Sequence, residues 1–416
     1  MLIVPGSLEF LPSQQTAYDL GMGALDGIRV VEIGLLVQGP QAAGLFCDMG
    51  ATVFKVELPG FGDQARWIPS APSDPRSGYF LALNRGKRSI TIDLHKPEGV
   101  EVFCRLVDSA DVLISNFKPG TLDEWGVGYD TLAKRNPRLV YATGSAFGPI
   151  GPDALLEGAD MAGQAAGGLI ATTGRDGGEP TPVGVTIADH MASQHLAAGI
   201  LGALIARSRT GRGQRVDVSL LGGAIWAQAS EITSFNLSGE VPGRANRSHP
   251  LINGAYGILK TSDGHIALVG VPPQHRATFA QAIGKPDLWD LDPRFAIPWL
   301  SPEAKQALLD ILETIFVTKT TQEWCEILRP CTRFAPVRGY PEIVADPQTY
   351  ENGYLLKADH PTYGPMTLVG TPIRMSDTPI EVAIVAPELG EHTEEILLEL
   401  GYDWDQIAAL RDSASI

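Results

Sequence analysis

Asp189 stands at the head of the most regular helical pattern in the chain, DHMASQHLAAGILGALIAR over 189–207, where Ala, Ile and Leu recur at helical spacing. A carboxylate there can do either of two things. It can cap the exposed amides of the first turn, the commoner role of an Asp opening a helix. It can also attack an activated acyl carbon, because helix-end amides and the helix dipole keep it ionised. The two uses are compatible. Small residues at Gly39, Gly167 and Gly168 would let backbone amides approach the oxyanion that such an attack creates, although tight helix packing explains the same glycines equally well. Arg66, Arg85, Lys87 and Arg88 sit beside expected strand ends, where they suit an anionic ligand or serve as solvated loop charges. The four cysteines, Cys47, Cys104, Cys325 and Cys331, form no CxxC pair and have no His at zinc-finger spacing, so no metal site is implied and a reducing compartment fits.

The elements that must position these residues alternate along the chain. An apolar run over Ile28–Ile33, a small-residue helix over Pro40–Met49 and a second apolar run over Thr52–Val56 form a β-α-β unit. Strand Ser89–Leu94, helix Pro97–Ala110, strand Val112–Ser115, helix Leu122–Lys134 and strand Leu139–Thr143 continue the rhythm, which predicts a parallel Rossmann-like sheet with ligands at the carboxyl ends of its strands. No GxGxxG follows the first strand and no GxxxxGK[ST] occurs, which disfavours dinucleotide and P-loop chemistry. After the 189–207 helix, TGRGQ turns the chain, Val216–Leu220 alternates as a strand and 222–237 forms a further helix. The stretch GAYGILKTSDGHIALVG at 254–270 predicts a hairpin.

At 416 residues the chain is long enough for two cores. The expected division is an N-terminal arm at 1–24, a large domain over 25–225, a smaller one with its linkers over 226–337, and a C-terminal segment, 338–416, whose acidic helical stretch at 387–412 returns to the large domain. A formal net charge of -16 opposes broad contact with nucleic acid or anionic lipid. With no signal-like or long apolar run in the sequence, a cytoplasmic protein without membrane partners is expected.

Several stretches carry a resemblance together. They are LDGIRVVEIG, GP at 39–40, MGATVFKVELPGFGDQAR at 49–66, NRGKRSITIDLHKPEG at 84–99, DVLISNFKPGTLDEWGVGYDTL at 111–132 and NPRLVYATGSAFGPIGP at 136–152; then come GQAAGGLIATTG at 163–174, PVGVTIAD at 182–189 and RTGRGQRVDVSL at 209–220. In order and spacing they resemble the family III coenzyme A transferases, most closely over residues 25–265. The resemblance implies an α/β fold with a Rossmann-like large domain, a smaller α+β domain and an interlocked homodimer. It makes Asp189, twenty-five residues after Gln164, the nucleophile that carries CoA as an aspartyl thioester between an acyl-CoA donor and a carboxylic acid acceptor. Coenzyme A is then part of the substrate, and no tightly bound cofactor or metal is implied.

The resemblance extends to other positions. Relatives place an active-site Gln one position earlier relative to GP, where this chain has Val37; the role is either shifted to Gln38, beside Gly39, or absent. Arg66, Lys87 and Arg88 become candidates for the CoA phosphates, and Asn116 and Phe117 for the nucleotide, with the Phe ring covering adenine. Glu124 stands where relatives often carry a cation, which removes one expected phosphate contact. The same fold hosts α-methylacyl-CoA racemases, whose G-H-D stretch is here GAD: Ala159 replaces the basic His while Asp160 is kept, which disfavours racemisation. A non-catalytic CoA-binding subunit of a two-chain transferase is the alternative from a different class, and retention of Asp189 argues against it. The glycine-rich loop that shields the intermediate in some relatives is absent. In GRANRSHPLINGAYG at 243–257, Arg244, Arg247 or His249 is suited to hold a second carboxylate, which favours a dicarboxylate such as succinate, while the Trp-rich segments of the smaller domain equally suit an aromatic or terpenoid acyl chain.

Overall fold

The computed structural model describes residues 23–297 and 300–416, so nearly all of the expected N-terminal arm lies outside the described residues. Six strands, β1 (Arg29–Ile33), β2 (Thr52–Glu57), β3 (Arg88–Thr91), β4 (Val112–Ser115), β5 (Val140–Ser145) and β6 (Arg215–Ser219), form one parallel sheet in the order β3-β2-β1-β4-β5-β6. The central strands β1, β2 and β4 are short, mostly apolar and rich in β-branched residues, as strands covered on both faces must be, whereas the edge strand β6, RVDVS, buries no residue. Alternate side chains feed opposite layers. Val30, Val53, Val112 and Val140 meet Ala42, Phe46, Leu196 and Ile200 from helices Gln38–Asp48 and Ile187–Thr210. Val31, Phe54, Ile90 and Leu113 meet Val102, Leu106 and Leu132 on the other side, with Ile396, Leu397, Ile407 and Leu410 from helices Thr393–Glu399 and Trp404–Asp412. The strand order reverses between β1 and β4, and that reversal opens a crevice at their carboxyl ends.

A second core surrounds an antiparallel sheet of β7 (Tyr256–Lys260), β8 (His265–Val269) and β9 (Phe334–Pro336). Leu259, Ile266 and Leu268 pack there on Phe279, Leu308, Leu312 and Trp324, and the Trp324 indole stacks on Phe316 at 4.5 Å. A hairpin of β10 (Leu355–His360) and β11 (Gly364–Val369) follows. Among the described residues no helix is long and apolar enough to cross a membrane.

Three local expectations need correction. The helix expected over 122–134 is two, Thr121–Glu124 and Tyr129–Arg135, because Gly126 adopts a left-handed conformation at φ 78° and ends the first turn. The helix expected over 222–237 divides at Gln228, whose side-chain amide donates to the carbonyls of Gly167 and Ala224. The stretch 387–412 likewise holds two helices, separated by Gly401 at φ 85°. Helices Gly78–Asn84 and Asp160–Ala166, too short for a periodic signal, were not anticipated.

Candidate active site

The helix expected to begin at Asp189 begins two residues earlier, at Ile187. Asp189 is therefore not its cap. That role falls to Asp160, the first residue of helix Asp160–Ala166, whose Oδ1 accepts from Ala188 N at 2.7 Å and more distantly from Asp189 N at 3.4 Å. The other Asp160 oxygen accepts from Gln164 Nε2 at 2.6 Å, and Gln164 Oε1 in turn accepts from Val183 N at 2.9 Å. Asp160 and Gln164 thus tie the 183–188 segment to the helix start. Among the described residues no donor reaches the half-buried Asp189 carboxylate. Burial, and then the neighbouring Asp160 charge, push its pKa up to about 7. Ala159 is exposed and puts no imidazole beside Asp160. His190 instead contacts Gln41 Oε1 through Nδ1 at 2.6 Å, linking the Asp189 helix to helix Gln38–Asp48, and burial lowers its pKa.

Helix Gln38–Asp48 starts at the mouth of the crevice. Its N-terminal flank, Val37, supplies no side-chain cap, and among the described residues no acceptor meets the amides of Gln38 and Gly39. Gln38 is 3% exposed, its side chain lies against Gly144 of β5, and its Nε2 has no partner among the described residues. An added Cβ at Gly144 would come within 2.4 Å of the Gln38 oxygen, so the Gln38 position depends on that glycine. Gly39 faces Asn116, whose Oδ1 lies 3.4 Å from a Cβ built there. At Gly167 the packing role is the one realised, because a Cβ would lie 2.4 Å from that of Ala224.

The loop after β1 is pinned at each residue. Lys55 Nζ donates to Gly34 O at 3.2 Å, Leu35 exchanges two 2.8 Å hydrogen bonds with the Asn116 amide, and Leu36 N donates to Asp63 Oδ1 at 2.9 Å. Leu36 is held at φ 63°, a conformation disfavoured for a branched side chain. Behind the loop lie four fully buried charges: Lys55 Nζ is 3.1 Å from Glu32 and 2.8 Å from Asp63, and Lys87 Nζ is 3.1 Å from Glu32. Burial opposes the Lys55 ammonium, but Glu32 and Asp63 outweigh it and raise its pKa. Burial brings Lys87 down to about 8, against Glu32 and with Lys55.

The sequence-predicted cations are already paired within the chain. Lys87 is enclosed, donating also to Pro40 O and Asn84 Oδ1 at 2.9 and 2.8 Å. Arg66 binds Glu57 through two 2.8 Å bonds and lies over the Phe80 ring. Arg85 pairs with Asp48, and Arg88 with Glu395 and Glu399. Asn116 spends both ends of its amide on Leu35. Phe117 stands edge-on to Trp125 at 5.1 Å, and both line an apolar cleft of about 260 Å³ at the ends of β1 to β4 with Ile33, Leu58, Ile92 and His95. The Glu32–Lys55 pair escaped sequence reasoning, yet a charge inside each of two apolar strands, RVVEI and TVFKVE, is its signal, and the register places them side by side.

The chain as a whole has counterparts among known proteins. Residues 25–393 match the family model described as CoA-transferase family III. The chain is 35% identical to the succinyl-CoA:mesaconate CoA-transferase of Haloarcula marismortui, covering 92% of this chain and 98% of that one. It is 37% identical to the succinate–glutarate CoA-transferase of Agrobacterium fabrum, covering 90% and 95%. A CAIB/BAIF family protein from Brucella suis superimposes with a TM-score of 0.79 at 34% identity, over 91% of this chain and all of that one. A family match across nearly the whole described chain, upheld by relatives of matching length and by the same fold in a solved structure, means that this protein belongs to CoA-transferase family III and is a CoA-transferase enzyme.

Proposed function

We propose that the enzyme moves CoA from an acyl-CoA to a free carboxylic acid through a thioester on Asp189. The observation that carries this is that Asp160 performs the capping, which leaves the Asp189 carboxylate without a donor at the start of a 24-residue helix. An Asp189 oxygen attacks the thioester carbonyl; the C–S bond breaks, giving a mixed anhydride and CoA thiolate. The thiolate then attacks the aspartyl carbonyl, the donor acid leaves, and the enzyme holds CoA as a thioester. The acceptor carboxylate repeats the sequence in reverse and regenerates Asp189. Gln38 Nε2 and the Gly39 amide are the donors assigned to the oxyanion, and the Phe117–Trp125 cleft takes the adenine. Arg66 and Arg88 keep a phosphate role only if CoA displaces the carboxylates they now hold.

The relatives named for succinate, mesaconate and glutarate support a short dicarboxylate as one of the acids. Helix Ala229–Ser238 buries no residue and leaves Phe235 and Leu237 exposed next to Trp226, which supports an interlocked second copy of the chain. A cytoplasmic location is part of the same proposal.

Intact-protein mass spectrometry after incubation with succinyl-CoA and other acyl-CoAs tests the intermediate. A CoA-sized adduct on wild type, discharged by hydroxylamine and missing from Asp189→Ala, is expected; an adduct on both proteins would remove Asp189 from the mechanism. The pH profile tests its environment. In wild type kcat/KM should rise with pH through about 7, as Asp189 ionises. Asp160→Asn removes the second cause of that raised pKa while keeping an acceptor for Ala188, so the rising limb should move to lower pH. An unmoved limb would mean that another group controls the profile.

A further inference from the structure

A second cavity, of about 710 Å³, lies between the Arg175–Asp176 turn, the 242–253 segment and helix Pro302–Phe316. Its volume is in the range of sites for small molecules. Five basic side chains line it: Arg175, Arg244, Arg247, His249 and Lys305. Arg247 is already matched to Glu313 at 2.5 Å and Asp310 at 3.5 Å, and His249 lies 3.2 Å from Glu231. The side chains of the other three form no ion pair among the described residues, although the Arg244 charge acts on nearby Asp176. Arg244 Nη1 donates only to the carbonyls of Arg175, Gly178 and Glu179, at 3.1, 2.9 and 2.9 Å. Lys305 Nζ donates to the carbonyls of His249 and Ile252, at 2.9 and 2.6 Å, and burial lowers its pKa. The one acid on the wall, Asp176, accepts from Asn246 Nδ2 at 2.8 Å and from the Arg244 backbone amide at 3.3 Å.

On the cavity wall itself basic side chains outnumber the single acid, in a chain whose formal net charge is -16. Two of its cations are held rigidly by backbone carbonyls. Those bonds orient the charges without neutralising them, so an anion entering the cavity meets donors already in place. An isolated surface lysine has no such preorganisation.

We propose that this cavity is a binding site for a small acid bearing two or more carboxylates, held by Arg175, Arg244 and Lys305. The sequence had singled out Arg244, Arg247 and His249; the geometry keeps the first and replaces the other two. None of its residues caps or flanks Asp189, so binding there is testable apart from the aspartyl mechanism.

Isothermal titration of the full chain with citrate and with succinate, and with acetate for comparison, tests it. Wild type and Asp189→Asn should bind citrate or succinate saturably and bind acetate at least about tenfold more weakly. Arg175→Gln, which removes an exposed side chain that makes no hydrogen bond or ion pair among the described residues, should weaken citrate or succinate binding by about tenfold. Lys305→Met should do the same, with its thermal unfolding followed to separate lost binding from lost fold. No saturable binding of either acid up to about 10 mM by wild type, or binding unaffected by both substitutions, overturns the proposal. Turnover identifies the occupant. If it is the reacting acid, Arg175→Gln raises KM for succinate with kcat and monocarboxylate acceptors unchanged. If it is a separate effector, KM is unchanged and citrate alters the rate of wild type but not of the variant. Either result supports the site.

Discussion

Asp189→Asn is expected to lower turnover by on the order of 10⁴-fold and, at the same time, to make the protein more stable at neutral pH. The amide cannot form the anhydride or the aspartyl thioester, so the loss should fall on kcat rather than on CoA binding. The gain in stability follows from proton linkage. Burial and Asp160 raise the Asp189 pKa from 3.8 to about 7 in the folded chain. The folded state therefore holds this proton more tightly than the unfolded state does. Its contribution is fully present below about pH 4 and is lost as pH rises through about 7. Wild type and Asp189→Asn should then unfold alike near pH 4 and diverge as pH rises, with the variant ahead above pH 7. Three pKa units correspond to about 4 kcal/mol, and solvent around a half-buried carboxyl reduces that to roughly 2 kcal/mol. Denaturant unfolding at pH 4, 6 and 8 checks this; a variant that is less stable at pH 8, or equally displaced at every pH, would contradict the raised pKa.

Glu32→Gln should be among the most destabilising single substitutions in the chain, at about 3–5 kcal/mol, although no reacting group is touched. Glu32 is the shared partner of two buried ammonium groups. Without its charge, Lys55 keeps Asp63 at 2.8 Å, but Lys87 is left with the Pro40 carbonyl and the Asn84 amide oxygen. An unpaired buried cation must then lose its proton or draw in water. The double variant Glu32→Gln/Lys87→Met removes the stranded charge and should recover at least about 1 kcal/mol relative to the sum of the single changes. Urea unfolding of the three variants measures this coupling directly, and additive losses would show that the two residues do not depend on each other. Because Lys55 also holds the Gly34 carbonyl, Glu32→Gln should loosen the 34–36 loop and the aromatic cleft beside it.

The alternation of apolar runs and helical patterns fixed the parallel α/β class, and β4 matched the expected Val112–Ser115. Its register pattern is strong because strands buried on both faces need unbroken apolar sequence. Boundaries failed where a single side chain or glycine decided them. Gly126 ends one helix through its left-handed backbone, and Gln228 divides another by bonding to Gly167, a residue sixty-one positions away. The motifs singled out Asp189 and GAD at 158–160, but not that the two aspartates meet at one helix start, with Asp160 bonding to Ala188 and leaving Asp189 free.

The charged residues show the same division. Residue types and spacing located the basic positions 66, 85, 87 and 88, while Glu32 and Lys55 escaped that reading although each is a charge inside an apolar strand. Which cation faces which anion depends on strand register and on the return of distant segments. The β1–β2 pairing sets Glu32 beside Lys55, and helix Thr393–Glu399 brings Glu395 and Glu399 to Arg88. Similarly, sequence placed Arg244, Arg247 and His249 within six residues, and only the packing of helix Pro302–Phe316 brought Lys305 in and supplied Glu313 to Arg247. Local sequence determined the elements and the chemical groups available, because propensity and periodicity act over a few residues; tertiary structure decided which of those groups are paired and which are left free to act, because a charge finds its partner through space.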